Sequence, residues 1–297
     1  MRSGLLLLVL PLAACGRHEP TAAPPTPNET TAAARPLAAP TPNPLLPCPI
    51  DKPTLGPGLS VERWKISAVP ATGGKPCVDV VRADPATFAL RVLSQATDDP
   101  TPRSALAWRD AFHLSAVINA GMFHESGKPV GMIIADGIVR SESNSKMSGY
   151  LAWDPVTAAD PPFTIAGRDC DGFDLDALRA RYHSVVQSYR LLGCDGQPIP
   201  WKDPKQYSAA AIGLDRSGRI VFMHARAAVT MAELSAALGT HDLAGALFLE
   251  GGPEASLVAR GSEGELSRVG SFETGFVEND SNVSYWTLPN VIALLPR

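Results

Sequence analysis

Apolar residues in this chain come in short runs, and the length of those runs limits the fold more than any other feature. Residues 61–69, 78–82, 88–94, 116–119, 132–135, 151–153 and 163–166 are each bounded by Gly, Pro or Asp. Runs this short, punctuated by turn formers, read as β-strands. Asp215-Arg216-Ser217-Gly218 lies between the apolar runs 209–214 and 220–224 and reads as a hairpin turn, and a last strand covers 291–295. Helical patterns are fewer. Residues 103–113 carry apolar side chains on one face, 174–182 follow an acidic start, and Thr230-Met231-Ala232-Glu233 is a capping box that opens a helix to about Leu238. Strands in series with intermittent helices predict an α+β fold, with a mixed, largely antiparallel sheet and flanking helices in a single domain over 48–297. There is no internal repeat.

Upstream the composition changes. Met1-Arg2-Ser3-Gly4 carries one positive charge, residues 5–12 are apolar except for Pro11, and Ala13 and Ala14 follow. This is the build of a signal peptide over residues 1–14. The run is too short to span a bilayer, which takes about 20 apolar residues. Leu12-Ala13-Ala14-Cys15 resembles the bacterial lipobox, which implies lipidation of Cys15 and a membrane association through that anchor alone. Gly16 after the cysteine, by the same resemblance, implies the outer membrane, facing the periplasm of the bacterial envelope. Residues 15–47 hold nine prolines among Ala and Thr and almost no aromatic or β-branched aliphatic residue. Such a stretch cannot bury enough apolar surface to fold, and it reads as a semi-rigid tether with a reach on the order of 90 Å.

A net charge of -4 and the absence of a basic block argue against nucleic acid as a partner. Apart from Cys15 there are four cysteines, Cys48, Cys77, Cys170 and Cys194, an even set that suits two disulfides in an oxidising compartment. Of three connectivities, Cys48–Cys77 with Cys170–Cys194 closes loops of moderate length around turn-rich sequence. A zinc site is the alternative, without C-x-x-C spacing to support it.

Three strands end in small and polar residues. The run Val117-Ile118-Asn119-Ala120-Gly121 stops at Asn119, and His124 and Glu125 emerge beyond a flexible glycine; Asn119 could equally cap the turn. In Val185-Val186-Gln187-Ser188-Tyr189-Arg190, alternation puts Gln187 and Tyr189 on one face and Ser188 and Arg190 on the other. An Arg in an apolar strand calls for an anion, which is either a neighbouring carboxylate or a substrate phosphate. The third strand ends in Leu249-Glu250-Gly251-Gly252-Pro253-Glu254, where a carboxylate meets a close-approach turn. Pro253 and Glu254 look like the first turn of a helix, so Glu254 could simply complement its dipole.

In order along the chain, Asn119 to Phe123, Pro129-Val130-Gly131 with Asp136-Gly137, the Gln187-Ser188 strand leading to Asp195-Gly196, the Ala211-Ile212-Gly213-Leu214 hairpin and Leu249-Glu250-Gly251-Gly252 resemble the phosphodiester glycosidase family. The resemblance covers about residues 82–295. It departs from the usual family pattern at Glu250, where Asp is more common, and at Pro253-Glu254, Tyr189-Arg190 and Tyr207-Ser208-Ala209, as in a divergent bacterial subgroup. The resemblance implies a hydrolase that cleaves glycosyl phosphodiesters of envelope or extracellular glycans.

Cleavage at an anomeric carbon needs a carboxylate at that centre and donors for the departing phosphate. The roles expected are Glu250 as the carboxylate, acting as nucleophile or base, Asn119 orienting sugar or water and His124 as proton donor. Arg190 and Arg226 would bind phosphate, and Gln187, Gly251, Gly252 and Glu254 would complete the substrate site. Glu273 and Trp286 either line a sugar site or belong to a packed loop. No cofactor is evident, and a divalent cation near Glu250 and Glu254 stays open. The other reading is a non-catalytic lipoprotein that binds anionic glycans through Arg190 and Arg226. A metal-dependent phosphoesterase ranks last because the six His residues are scattered.

Overall fold

Strands of three to eleven residues cannot bury both faces alone, so they pair into sheets whose inner faces must meet. The computed structural model describes residues 48, 50, 53–66 and 76–297. The expected signal peptide, Cys15 and the tether lie outside the described residues, as does the 67–69 end of the first expected strand. The elements are β1 (Thr54–Gly56), β2 (Leu59–Lys65), β3 (Cys77–Ala83), β4 (Phe88–Ser94), α1 (Ala105–Ala111), β5 (Ala116–Asn119), β6 (Ile133–Ala135) and β7 (Ile138–Ser141). They continue as β8 (Gly149–Pro155), β9 (Phe163–Gly167), α2 (Leu175–Arg181), β10 (Tyr182–Arg190), β11 (Gln206–Asp215), β12 (Ile220–Thr230) and α3 (Met231–Leu238). After β13 (Leu243–Gly251) come a single 3₁₀ turn (Gly252–Glu254), β14 (Ser256–Gly261), β15 (Gly264–Val269) and β16 (Asn290–Pro296).

The larger sheet runs β1-β2-β3-β12-β11-β13-β10-β6-β7, with β8 joined to β10 and β9 to β8. The smaller runs β15-β14-β5-β16-β4. Every pairing between the described strands is antiparallel. Period-two alternation then sorts the apolar residues. Val81, Ile212, Phe222, Leu247 and Leu249 of the larger sheet pack against Val92, Ile118, Leu257, Ile292 and Leu294 of the smaller one in a buried core. Each helix covers an outer face: α3 through Met231, Leu234 and Leu238, α1 through Ala105 and Trp108, and α2 through Leu178.

The caps legible in sequence explain where these helices start. Ser104 accepts from Ala107 N–H, Asp174 from Asp176 and Ala177, and Thr230 forms a reciprocal capping box with Glu233. Both disulfides, Cys48–Cys77 and Cys170–Cys194, are formed. The helix expected after Gly252 is not. Only the 3₁₀ turn forms there, because Leu257, Val258 and Ala259 pair on both sides, with β5 and with β15. Tertiary pairing overrides the local Pro-Glu helix signal.

Ile118 is fully buried and flanked by Leu257 and Ile292, whereas Ile138 is 65% exposed. Ile118→Ala should cost about 2–5 kcal/mol, and Ile138→Ala less than about 0.5 kcal/mol. Urea denaturation of both variants checks this; equal losses would contradict the core assignment.

Candidate active site

The chain leaves the larger sheet at the end of β13 and enters the smaller one at the start of β14, with only the 3₁₀ turn and Ala255 between. Gly251 passes against Tyr207, where a Cβ would sit 2.9 Å from Cδ1. Gly252 has φ +68, and any Cβ there would collide with the carboxyl of Glu273. Both glycines are therefore required by the path, φ > 0 at one and close approach at the other. A β-bulge precedes them. Ala210 pairs with Glu250 and Ala211 with Phe248, so Leu249 is the extra residue and strict alternation is broken at Glu250.

The result is a group of three carboxyls around one turn. Glu250 sits at the end of β13, Glu254 in the 3₁₀ turn, and Glu273 reaches Gly252 from the segment after β15. Glu273 is held by backbone pairing with both Tyr207 and Val277. Burial above all, with the charges of Glu254 and Glu273 acting the same way, raises the pKa of Glu250 to about 8. The Gly251 N–H, donating to its Oε1 at 3.1 Å, offsets only part of that. Burial also raises Glu254 and Glu273, with Lys205 opposing the rise at Glu273. At neutral pH Glu250 therefore keeps its proton. No group of three His, Cys, Asp or Glu among the described residues is arranged to hold a metal ion.

The remaining expected residues fall elsewhere or serve the frame. Asn119 is fully buried at the end of β5; its Oδ1 accepts from Ser256 N–H at 3.4 Å, which steadies the start of β14, and its Nδ2 has no partner among the described residues. His124 is exposed and lines a shallow cavity of about 340 Å³ with Lys128, Arg140 and Glu142, apart from Glu250. The Gln187 amide is fully used: it accepts from Met132 and Asn144 N–H and donates to Asn144 O, Met147 O and the Tyr150 hydroxyl.

Arg190 is not available as a phosphate fork. Its guanidinium pairs with Asp169 and donates to both sulfurs of the Cys170–Cys194 disulfide, so the carboxylate alternative holds. Arg226 is likewise engaged. It donates to Val269 O at 2.9 Å, Asn282 O at 2.9 Å and Asp280 O at 3.1 Å, and pairs with the Asp280 carboxylate.

Sequence reasoning gave Glu273 only a place in a sugar-lining loop and missed its contact with the Gly251–Gly252 turn. It also missed His224. That imidazole is fully buried, and burial pushes its pKa down to about 4. Its Nε2 lies 3.1 Å from Ala255 O, which makes the neutral Nε2–H tautomer the donor. The signal that could have found it is a lone polar residue in the apolar strand 220–225.

A two-sheet, largely antiparallel domain with carboxyls at a sheet-crossing turn is a recognisable frame. The family model for phosphodiester glycosidase matches residues 112–295, and the chain belongs to that family. Two solved structures share the fold. The catalytic domain of zebrafish N-acetylglucosamine-1-phosphodiester alpha-N-acetylglucosaminidase, auto-inhibited by its pro-peptide, aligns with TM-score 0.56 at 15% identity, over 82% of this chain and 85% of that one. A hypothetical protein from Synechocystis aligns with TM-score 0.54 at 15% identity, over 81% of this chain and 62% of that one. No curated protein matches the chain by sequence.

The raised pKa of Glu250 has a stability signature. Between the ordinary Glu value near 4.5 and about 8, the folded state keeps a proton that the unfolded state has released. Stability is therefore lost as pH rises through that window, by at most about 1.4 kcal/mol per pH unit. Glu250→Gln should melt like wild type at pH 4.5 and progressively above it towards pH 8. A constant difference across the range would contradict a buried, protonated Glu250.

Proposed function

We propose that this chain hydrolyses glycosyl phosphodiesters at the carboxyl group formed by Glu250, Glu254 and Glu273. The observation that carries this reading is a family fold whose sheet-crossing turn gathers three carboxyls that cannot all ionise at neutral pH. Such a group holds an acid and a base at once. Glu250, the most strongly raised, is the acid. Glu273, whose ionised form Lys205 favours, is the base.

In this reading water attacks the anomeric carbon and gives its proton to Glu273. The bond from that carbon to the phosphate oxygen breaks, and the oxygen takes the proton of Glu250. The products are a free sugar and a phosphate monoester. A protonated Glu250 also accounts for how an anionic substrate can approach without a free arginine, since a neutral carboxyl donates a hydrogen bond to phosphate instead of repelling it. With Arg190 and Arg226 both engaged, a purely anion-binding role loses the residues it relied on.

Glycosyl phosphodiesters with different sugars should show release of phosphomonoester. Glu250→Gln should lower kcat about 10²–10⁴-fold with the fold intact, and wild-type kcat/KM should fall above about pH 8. Retention of ligand without any turnover would leave a binding protein. Full activity in Glu250→Gln would remove that residue from the chemistry.

The lipobox-like Leu12-Ala13-Ala14-Cys15 supports an envelope setting and makes anionic envelope glycans the first substrates to try. Expressed in bacteria with labelled fatty acid, the full chain should carry label in the membrane fraction, and Cys15→Ala should not. Label-free membrane material from the wild type would refute the anchor.

A further inference from the structure

Single exposed apolar side chains are ordinary on a folded surface, whereas exposed ones in contact with each other mark places where something else can pack. Two of the exposed ones in this molecule are aromatic, Phe276 at 59% and Trp286 at 37%, and they meet each other. Their ring centroids are 5.8 Å apart at 81°, an edge-to-face pair. They come from opposite ends of the segment that carries Glu273.

That segment is built rather than loose. Arg226 clamps it through the carbonyls of Val269, Asp280 and Asn282, Ser271 donates to Asn279 O, and Asn282 donates to Gly270 O and Ser284 O. Glu273 pairs with Val277 through the backbone, and Phe276 N–H donates to Glu273 O. At the other end Tyr285 packs into the apolar cluster outside the smaller sheet, and Thr287 bridges to Ser104. Two aromatic rings are thus held in place, partly in water, and Phe276 lies three residues from Glu273, whose carboxyl touches the Gly251–Gly252 turn.

From this geometry we infer that Phe276 and Trp286 form a stacking subsite for the apolar face of a neutral pyranose ring, adjoining the carboxyl group at Glu250 and Glu273. The choice of occupant follows from the surroundings. Glu278 is exposed on the same segment, and its charge disfavours an anionic lipid surface there. The segment exposes two rings and Val283 alongside the exposed polar residues Thr274, Asn279 and Ser281, an apolar patch too small for a stable protein interface. A sugar ring matches both parts, with C–H groups for the aromatic faces and hydroxyls for the carboxyls. The inference rests on the proposed glycosidase reading for the sugar class, not for the existence of the subsite.

The test uses the full chain and neutral methyl glycosides of glucose, galactose and N-acetylglucosamine, titrated by ligand-observed NMR and tryptophan fluorescence. At least one should bind saturably at millimolar concentration. Trp286→Ala and Phe276→Ala should each weaken it at least tenfold, with Trp286→Phe restoring most of the affinity. On any phosphodiester that is turned over, both Ala variants should raise KM about tenfold with a smaller change in kcat. Saturable binding that depends on Trp286, without turnover of any phosphodiester, supports the subsite and refutes the hydrolase. Turnover with KM unmoved by either Ala variant supports the hydrolase and overturns the subsite. Absence of saturation by all three glycosides, or concentration-dependent self-association abolished by Trp286→Ala, also overturns it.

Discussion

The structure turns on one short crossing. Two packed sheets lie about 10 Å apart, and the chain goes from one to the other between Gly251 and Ser256. Leu249, Ala255 and Leu257 are buried in the core that the sheets share, so both ends of the crossing are fixed. What lies between has no freedom to relax. That is why Gly252 adopts a positive φ and Gly251 runs against the Tyr207 ring. It is also why Glu250, next to last in an apolar strand, is partly withdrawn from water.

The chemistry of the site follows from that burial. A carboxyl in water would ionise and hold a cation or a solvent shell, whereas here desolvation keeps a proton on Glu250 and its two neighbours reinforce the effect. Behind the crossing the frame is polar but sparsely hydrogen-bonded. Among the described residues Asn119 Nδ2, Ser256 Oγ and His224 Nδ1 have no partner, although each residue makes one bond that steadies Ala255 or Ser256. Ala255 O accepts from both Gly270 N–H and His224. The peptide next to Glu254 is thereby held from two strands at once, and low polarity around it strengthens each contact.

Much of the frame was legible in the amino-acid sequence, and the pattern of success has a physical reason. β4 and β5 lie where short apolar runs end at turn formers, and the three helices begin at Ser104, Asp174 and Thr230, whose side chains accept the first free N–H groups. These are local effects. The segment after Gly252 was misread because its partners, β5 and β15, are distant or not recognisable by themselves; β15 has Gly264, Glu265, Ser267 and Arg268 among its six residues. Charges were the hardest to read. Glu250 stood out by its position, but nothing local reveals that Arg190 meets Asp169, or that Arg226 clamps a segment more than forty residues away. A charged residue's role is set by the element it faces, which only the fold decides.

The place of the last strand has a consequence for how the molecule forms. β16 lies between β5 and β4, in the smaller sheet, although it is the last of the described elements. β4 therefore stays without its neighbour until about two hundred further residues have been made, since Phe88 pairs with Pro296. β3 waits similarly for β12. Contacts of such sequence separation close slowly. Until β16 inserts, β4 and β5 present open edges able to pair with other chains. A growing chain can form hairpins early, but the smaller sheet closes only once β16 has been made and inserts between β4 and β5.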